Sequence, residues 1–262
     1  MTAGYVSDQM HRTLSVPSHP QRIISLVPSQ TELLYYLGLG ERVVGITKFC
    51  VHPETWFNSK HRVGGTKKVD MDKVRALKPD LIIGNKEENA RKDIEALETE
   101  FPVWMSDVRD LDGALDMILH VGHLTGTATE AALLIKGINE AFAALSLPEE
   151  PRTAAYFIWR EPFMVAGHGT FVNDMLKRCG LINVFDEGDA RYPEITAQDV
   201  EDAAPEVILL SSEPYPFKEE HVEDLLEICP NARIQLVDGE LFSWYGSRLL
   251  KAPAYFATLD PA

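Results

Sequence analysis

The stretch DKVRALKPDLIIGNKEE (residues 72–88) decides the fold, because it returns in altered form as QDVEDAAPEVILLSSEP (residues 198–214). Each copy runs from a short helical pattern through a proline to three apolar residues, and then to a group of polar ones. The apolar residues are Leu81-Ile82-Ile83 in the first copy and Val207-Ile208-Leu209 in the second. A helix followed by a short buried strand in both halves predicts two similar α/β lobes.

Other segments support the same order of elements. Short apolar runs at residues 22–27, 42–47 and 101–107 alternate with helical patterns, which is typical of a parallel sheet. The segment VWMSD of the first half matches IQLVD of the second, and each ends in an aspartate, Asp107 or Asp238. The segment RIISLVPS likewise matches TAAYFIWRE. We therefore expect three strands in the same order in each lobe.

A long helical pattern separates the two halves. Thr127 and Glu130 form a capping-box pattern that predicts a new helix, and apolar residues recur at helical spacing as far as Leu145. We expect this single long helix to join the lobes. The predicted parts are an extended N-terminal arm (1–21), an N-terminal α/β lobe (22–108), a helical linker with the joining helix (109–148) and a C-terminal α/β lobe (149–262).

Composition excludes several classes of function. The formal net charge of −15 over 262 residues disfavours binding to nucleic acid or to an anionic membrane surface, since both require a basic face. No apolar run reaches the ~18 residues of a membrane span, so we expect no membrane insertion. The sequence also lacks the GxSxG, GxxxxGK[ST], HExxH and paired CxxC motifs. We therefore expect no catalytic residues, no metal-ligating residues and no resident cofactor, which favours a binding protein over an enzyme.

The candidate binding residues follow the predicted strands. Ligands of open parallel sheets bind beyond the carboxyl ends of the strands, and both lobes carry polar and aromatic residues there. If the lobes face one another, these residues line one cleft. The candidates are Phe49, His52, Asn85, Lys86, Glu87, Trp159, Arg160, Glu213, Trp244, Tyr245 and Arg248.

The cations among these candidates are open to two interpretations. Lys86, Arg160 and Arg248 are suited to holding carboxylates or phosphates of a ligand, the arginines with two parallel hydrogen bonds. They are equally suited to internal ion pairs with neighbours such as Glu87 and Glu213. We expect contacts of both kinds.

The chain also resembles a known family. RIISLVPSQTELLYYLGLGERVVGIT followed by HPE, and later VGGTKKVDMDKVRALKPDLII, is similar to the N-terminal lobe of the helical-backbone metal receptors. VNDMLKRCGLINVF and YPEITAQDVEDAAPEVILL are similar to the C-terminal lobe. The family includes the substrate-binding proteins for cobalamin and ferric siderophores of ABC importers. The resemblance implies a class III periplasmic-binding-protein-like fold that holds a small metal chelate between the lobes.

The resemblance extends to single positions. Phe49 falls where cobalamin-binding members place an aromatic residue against the corrin, and His52 falls near another such position. Asn85 replaces a tryptophan of those members, and Lys86 makes the site more polar, which leaves a polar or anionic chelate as an alternative ligand. Members also dock on an ABC permease through one carboxylate per lobe. Asp72 matches the first of these, and Asp199 stands beside the second position.

Function and location follow as expectations. The main interpretation is a substrate-binding protein for ABC-type uptake of a chelate, and the alternative is a cytoplasmic enzyme or chelate-handling protein that reuses the fold. The N-terminus shows no apolar segment or cleavage site typical of a secretory leader. Cys50, Cys179 and Cys229 are odd in number and widely spaced, which indicates no disulfide framework. We expect a cytoplasmic protein, or a periplasmic one if a leader has been removed.

Overall fold

A computed structural model describes residues 3–259 of the chain. The predicted arm and C-terminal lobe extend beyond this range, and their residues 1–2 and 260–262 lie outside the described part. The chain divides into two compact units. The first unit contains residues 1–108, 112–138 and 245–248, and the second contains residues 109–111, 139–244 and 249–262.

The first unit is built on a parallel sheet of five strands in the order β5-β4-β3-β6-β7. An antiparallel hairpin, β1 and β2, precedes the sheet. The strands are β1 (Ala3–Ser7), β2 (Thr13–Pro17), β3 (Ile23–Ser25), β4 (Val43–Ile46), β5 (His61–Arg62), β6 (Leu81–Asn85) and β7 (Val103–Ser106). The helices up to the second unit are α1 (Pro28–Tyr36), α2 (Glu54–Ser59), α3 (Met71–Leu77), α4 (Arg91–Glu98), α5 (Leu111–Thr125) and α6 (Ala128–Ala143).

The second unit has a sheet of six strands. Its order is β11-β9-β8-β12-β13, and β10 pairs with the first half of β8. The strands are β8 (Arg152–Trp159), β9 (Phe163–Val165), β10 (Leu181–Asn183), β11 (Glu194–Ile195), β12 (Val207–Ser211) and β13 (Arg233–Val237). The helices are α7 (Phe171–Arg178), α8 (Ala197–Ala203), α9 (Glu219–Ile228), α10 (Gly239–Ser243) and α11 (Ala252–Phe256), with a 3-10 turn at Ser247–Leu250.

The repeat read from the sequence is confirmed by the sheets. β6 lies between β3 and β7 in the first sheet, and β12 lies between β8 and β13 in the second, all as parallel neighbours. The two copies of the helix–strand stretch therefore belong to two separate sheets, as predicted. The antiparallel strands β9 and β11 in the second sheet were not predicted.

The helix before the central strand ends in the same way in both units. Asp70 and Thr196 cap α3 and α8 by accepting a hydrogen bond from the backbone N–H three residues later. Lys78 and Ala204 end these helices in the left-handed conformation, with φ of 47° and 44°. A proline follows each of them, so neither helix continues.

A carboxylate at the start of each central strand ties it to its neighbour. The Asp80 carboxylate accepts a hydrogen bond of 2.7 Å from the backbone N–H of Arg22, just before β3. The Glu206 carboxylate accepts one of 2.7 Å from the N–H of Thr153, at the start of β8. These equivalent contacts fix the register of the central pair in each sheet.

The predicted arm contains the hairpin, whose turn covers the outer edge of β7. Gln9 N–H donates to the carbonyl of Met105 at 3.1 Å, and Asp107 N–H donates to Gln9 Oε1 at 3.2 Å. Asp8 holds the turn together by accepting from the backbone and guanidinium of Arg12. The hairpin therefore occupies hydrogen-bonding groups that an edge strand would otherwise expose.

The chain passes from the first unit to the second within α6, after Ile138. The segment Tyr245–Arg248 belongs to the first unit again, which was not predicted from the sequence. Among residues 3–259, no helix has the length and apolar character needed to cross a lipid bilayer.

Candidate functional site

The carboxyl ends of the strands gather most of the predicted site residues of the first unit at one edge of its sheet. β3, β4, β6 and β7 are parallel, so the segments that follow them emerge together. Phe49 and His52 follow β4, and Lys86 and Glu87 follow β6. We call this edge of the first sheet the first carboxyl edge.

A tight turn after β4 carries Phe49. Thr47 and Cys50 at its two ends are fully buried, and their Oγ1 and Sγ atoms lie 3.1 Å apart. Thr31 of α1 donates to Cys50 Sγ at 3.1 Å. Phe49 between them is 50% exposed, whereas His52 farther along lies half-buried.

Asn85 is buried, and its side chain organises the next turn of this edge. Its Oδ1 accepts hydrogen bonds from the N–H groups of Glu87 and Glu88 at 2.8 and 3.1 Å. Its Nδ2 donates to Ser106 Oγ at 3.0 Å. An asparagine that bonds the backbone two residues on is typical of a turn, so Asn85 positions the residues after it.

The residues positioned by Asn85 make contacts of their own. Lys86 Nζ lies 2.8 Å from the Asp107 carboxylate. The ammonium of Lys67 donates to the backbone carbonyl of Glu87. The Lys86 pair is the internal kind of ion pair that the sequence left open.

Tyr245 and Arg248 belong to the first unit, where Gly246 and Arg248 contact α1. Arg248 Nε and Nη2 donate to the two carboxylate oxygens of Glu32 at 3.0 and 2.8 Å. Gly246 has φ of 145°, and a Cβ there would lie 3.2 Å from the carbonyl oxygen of Ser29. Glycine is therefore required where this segment meets α1. Tyr245 is buried, and Arg248 holds a bidentate ion pair that the sequence did not identify.

In the second unit, Trp159 and Arg160 stand at the end of β8. Trp159 is 39% exposed, and its ring meets Tyr215 edge-to-face with centroids 5.6 Å apart. Arg160 pairs with Asp224 of α9 and lies 3.3 Å from Glu161. The aromatic residue is therefore presented to solvent while the cation next to it is already paired.

Glu213 and Trp244 form a buried contact in the same unit. Trp244 Nε1 and Ser243 Oγ both donate to Glu213 Oε1, at 2.8 and 2.7 Å. Burial raises the pKa of the Glu213 carboxyl, and the negative charges of Glu240 and Asp238 act in the same direction. The two hydrogen bonds lower it, but burial prevails. Trp244 itself is buried, so this contact fixes the end of α10.

The two predicted docking carboxylates differ in their surroundings. The Asp72 side chain is 93% exposed on α3 and lies 3.1 Å from Arg75. Asp199 completes a capping box with Thr196 at the start of α8. Hydrogen bonds from the side chain and backbone of Thr196 lower the pKa of Asp199. Asp72 is thus available for a partner, whereas Asp199 already stabilises its own helix.

The described site residues can bind a ligand through aromatic contacts and through ion pairs. Residues 3–259 contain no group of three or more His, Cys, Asp or Glu side chains placed to hold a metal ion. Each unit instead presents one exposed aromatic residue beside a cation, Phe49 after Lys48 and Trp159 before Arg160. The expected common cleft between the lobes stays a prediction.

Sequence reasoning missed several residues that build these surfaces. Glu32 on α1 and Lys48 beside Phe49 were not among the candidates. Lys48 could have been identified from the sequence, since it neighbours the candidate aromatic residue Phe49 in the chain. Glu32 had none, because its partner Arg248 is distant in sequence.

Comparison with known proteins places the chain among binding proteins. The periplasmic binding protein family matches residues 23–227. A vitamin B12-binding protein of Vibrio campbellii is 26% identical over 195 residues, which cover 73% of this chain and 70% of the relative.

Solved structures agree on the fold. The periplasmic vitamin B12 binding protein BtuF of Vibrio cholerae superposes with a TM-score of 0.75 at 23% identity, covering 92% of this chain and 97% of that one. The periplasmic heme binding protein HutB of Vibrio cholerae gives a TM-score of 0.78 at 20% identity, covering 91% and 98%. The predicted two-lobed, class III binding-protein architecture is confirmed by these neighbours.

Proposed function

Since the chain belongs to the periplasmic binding protein family, we propose that it binds a small metal chelate, cobalamin-like or ferric-siderophore-like, for uptake by an ABC importer. Family membership makes it a binding protein rather than an enzyme. The alternative of an enzyme that reuses the fold finds no support among the relatives.

One observation carries the choice of ligand. Each unit exposes a large aromatic side chain at the carboxyl ends of its parallel strands, Phe49 in one and Trp159 in the other. Exposed aromatic residues at such a place favour binding of a flat or ring-shaped molecule. Relatives named for vitamin B12 and heme bind ligands of this shape.

The test is calorimetric titration with cyanocobalamin, hemin and a ferric siderophore. One of these three compounds should bind. Phe49→Ala and Trp159→Ala should each weaken its affinity about tenfold, since an aromatic contact contributes ~0.5–1.5 kcal/mol beyond its buried area. Tyr5→Ala is the matched control, because Tyr5 is 82% exposed on the N-terminal hairpin. Equal affinities of all three variants and the unmodified protein would contradict the proposal.

The location proposed for this chain differs from the sequence expectation. The cytoplasmic prediction is not supported by the relatives, whose names describe periplasmic proteins. The cysteine argument behind it is weak, because burial raises the pKa of the Cys50, Cys179 and Cys229 thiols and keeps them protonated. We therefore propose the periplasm, which cell fractionation of the native gene product would test.

Docking on a permease through Asp72 and Asp199 is part of the same proposal. Asp72→Ala should reduce ligand uptake in reconstituted vesicles without changing ligand affinity, since its side chain is exposed on α3. Asp199→Ala requires a thermal unfolding control, because loss of the capping box costs ~1 kcal/mol by itself. Normal uptake with both variants would overturn this part.

A further inference from the structure

We propose that Lys48 and Phe49 together select ring chelates that carry ionised carboxylates on their rim over ring chelates whose rim is neutral. The inference rests on the proposed function, since it names the class of chelate that the first carboxyl edge accepts. Phe49 would contact the ring, and Lys48 would pair with a carboxylate beside it.

The turn after β4 forces these two side chains outward. Its end residues Thr47 and Cys50 are fully buried and bonded to each other through Oγ1 and Sγ. The Cys50 N–H donates to the carbonyl of Thr47 at 3.2 Å, and the Phe49 N–H approaches Thr47 Oγ1 at 3.3 Å. With both ends anchored, the side chains of the central residues Lys48 and Phe49 are left exposed.

The loop that follows β5 supports the Phe49 ring. A Cβ on Gly65 would lie 3.1 Å from Phe49 Cε2 and 3.4 Å from Lys48 Cε. The missing side chain at position 65 therefore allows both residues to lie against the backbone. The Lys48 N–H also donates to the carbonyl of Gly64 at 2.8 Å, which ties the turn to this loop. A supported aromatic ring that stays half exposed is a preformed contact surface.

Lys48 is available for an anionic group. Its Nζ lies 4.9 Å from the centroid of the Phe49 ring, and within residues 3–259 it has no carboxylate partner. The other lysines of this edge differ, since Lys86 pairs with Asp107 and Lys67 binds the carbonyl of Glu87. A cation resting on an aromatic ring can reach a carboxylate on the rim of a ligand that covers the ring.

Acidic residues also lie at this edge, and the negative charge of Glu88 acts on Cys50 of the same turn. Glu87 and Glu88 lie half-buried after β6, where Asn85 holds their backbone N–H groups. The Asp107 carboxylate forms an ion pair with Lys86. An anionic ligand that covers the Phe49 ring meets the ammonium of Lys48 at the exposed tip of the turn, although the chain as a whole carries a net charge of −15.

The experiment compares two matched pairs of ring chelates that differ only in the charge of the rim. The corrin pair is dicyanocobyrinic acid, which has carboxylates, and its heptaamide, which has amides. The porphyrin pair is hemin and its bis-amide. Affinities are measured by fluorescence quenching at two salt concentrations. We expect the carboxylate form to bind about threefold to tenfold more tightly, as one partly exposed ion pair allows, with a smaller preference at high salt.

Four variants identify the residues responsible. Lys48→Gln should abolish the preference for carboxylates, Lys48→Arg should keep it, and Phe49→Ala should weaken both members of a pair equally. Lys78→Gln is the matched charge control, because Lys78 is exposed at the opposite edge of the sheet, before β6. Equal affinities for the carboxylate and amide forms, or a preference for carboxylates that survives Lys48→Gln, would overturn this inference but not the proposed function. Failure of both pairs to bind would overturn this inference, and it would overturn the proposed function as well if a ferric siderophore also failed to bind.

Discussion

The ion pair between Arg248 and Glu32 leads to a prediction that distinguishes a structural role of Arg248 from a role in ligand binding. Both side chains are largely buried, 14% and 20% exposed, and two hydrogen bonds join them. Loss of one partner leaves the other charge without compensation in a poorly hydrated place.

The size of the effect follows from this burial. Fully buried pairs lose ~3–5 kcal/mol when one partner is removed, and exposed pairs contribute ~0.2–1 kcal/mol. For the intermediate burial seen here we expect Arg248→Ala to lower the free energy of unfolding by about 2 kcal/mol. With an unfolding entropy of ~2.1 cal/mol/K per residue and about 140 residues in the first unit, the midpoint of that unit falls by roughly 7 °C.

The assay is a double-mutant cycle with Arg248→Ala, Glu32→Ala and the combined variant, followed by urea unfolding. The combined variant should lose less stability than the two single variants together, with a coupling free energy above ~1 kcal/mol. A coupling free energy near zero would refute the reasoning. In that case Arg248 would be available to a ligand, as the sequence also allowed.

Three further predictions concern other contacts. Glu213→Gln keeps the acceptor for Trp244 but removes the charge. Because the folded pKa of Glu213 is raised, its contribution to stability is lost as pH rises from the ordinary glutamate pKa through the folded pKa, so thermal unfolding should show the variant gaining on the wild type as pH rises above that ordinary pKa; a difference independent of pH would contradict this. Asn85→Ala should cost ~2–3 kcal/mol in urea unfolding, because it leaves buried groups without partners; a stable variant with weakened ligand binding would contradict the positioning role. Asp8→Ala should loosen the hairpin turn and expose β7, which light scattering would detect as self-association on warming, in contrast to a monodisperse wild type.

The repeated helix–strand stretch was readable because local chemistry determines it. Proline after the helix and a run of buried apolar residues leave few structures open, and the caps at Asp70 and Thr196 agree in both units. The hairpin β1–β2 was harder to predict, since its pairing depends on long-range contacts of Asp8 and Gln9 with β7.

The candidate site was readable only in part. Phe49 and Trp159 are exposed at strand ends, as the pattern indicated. Asn85, Trp244 and Tyr245 are buried, which their sequence neighbourhood could not reveal. A polar residue at the end of a strand looks the same in the sequence whether it binds a ligand or stabilises the following turn. Only the atoms that it contacts in the structure distinguish these two roles.

The most direct test of the central claim is native mass spectrometry of the protein purified from its own cells. We predict a complex of one protein chain with one small molecule whose accurate mass and elemental analysis show a coordinated metal, and release of that molecule unchanged on unfolding. A bound nucleotide, or a small molecule that the protein converts into a product, would contradict the account.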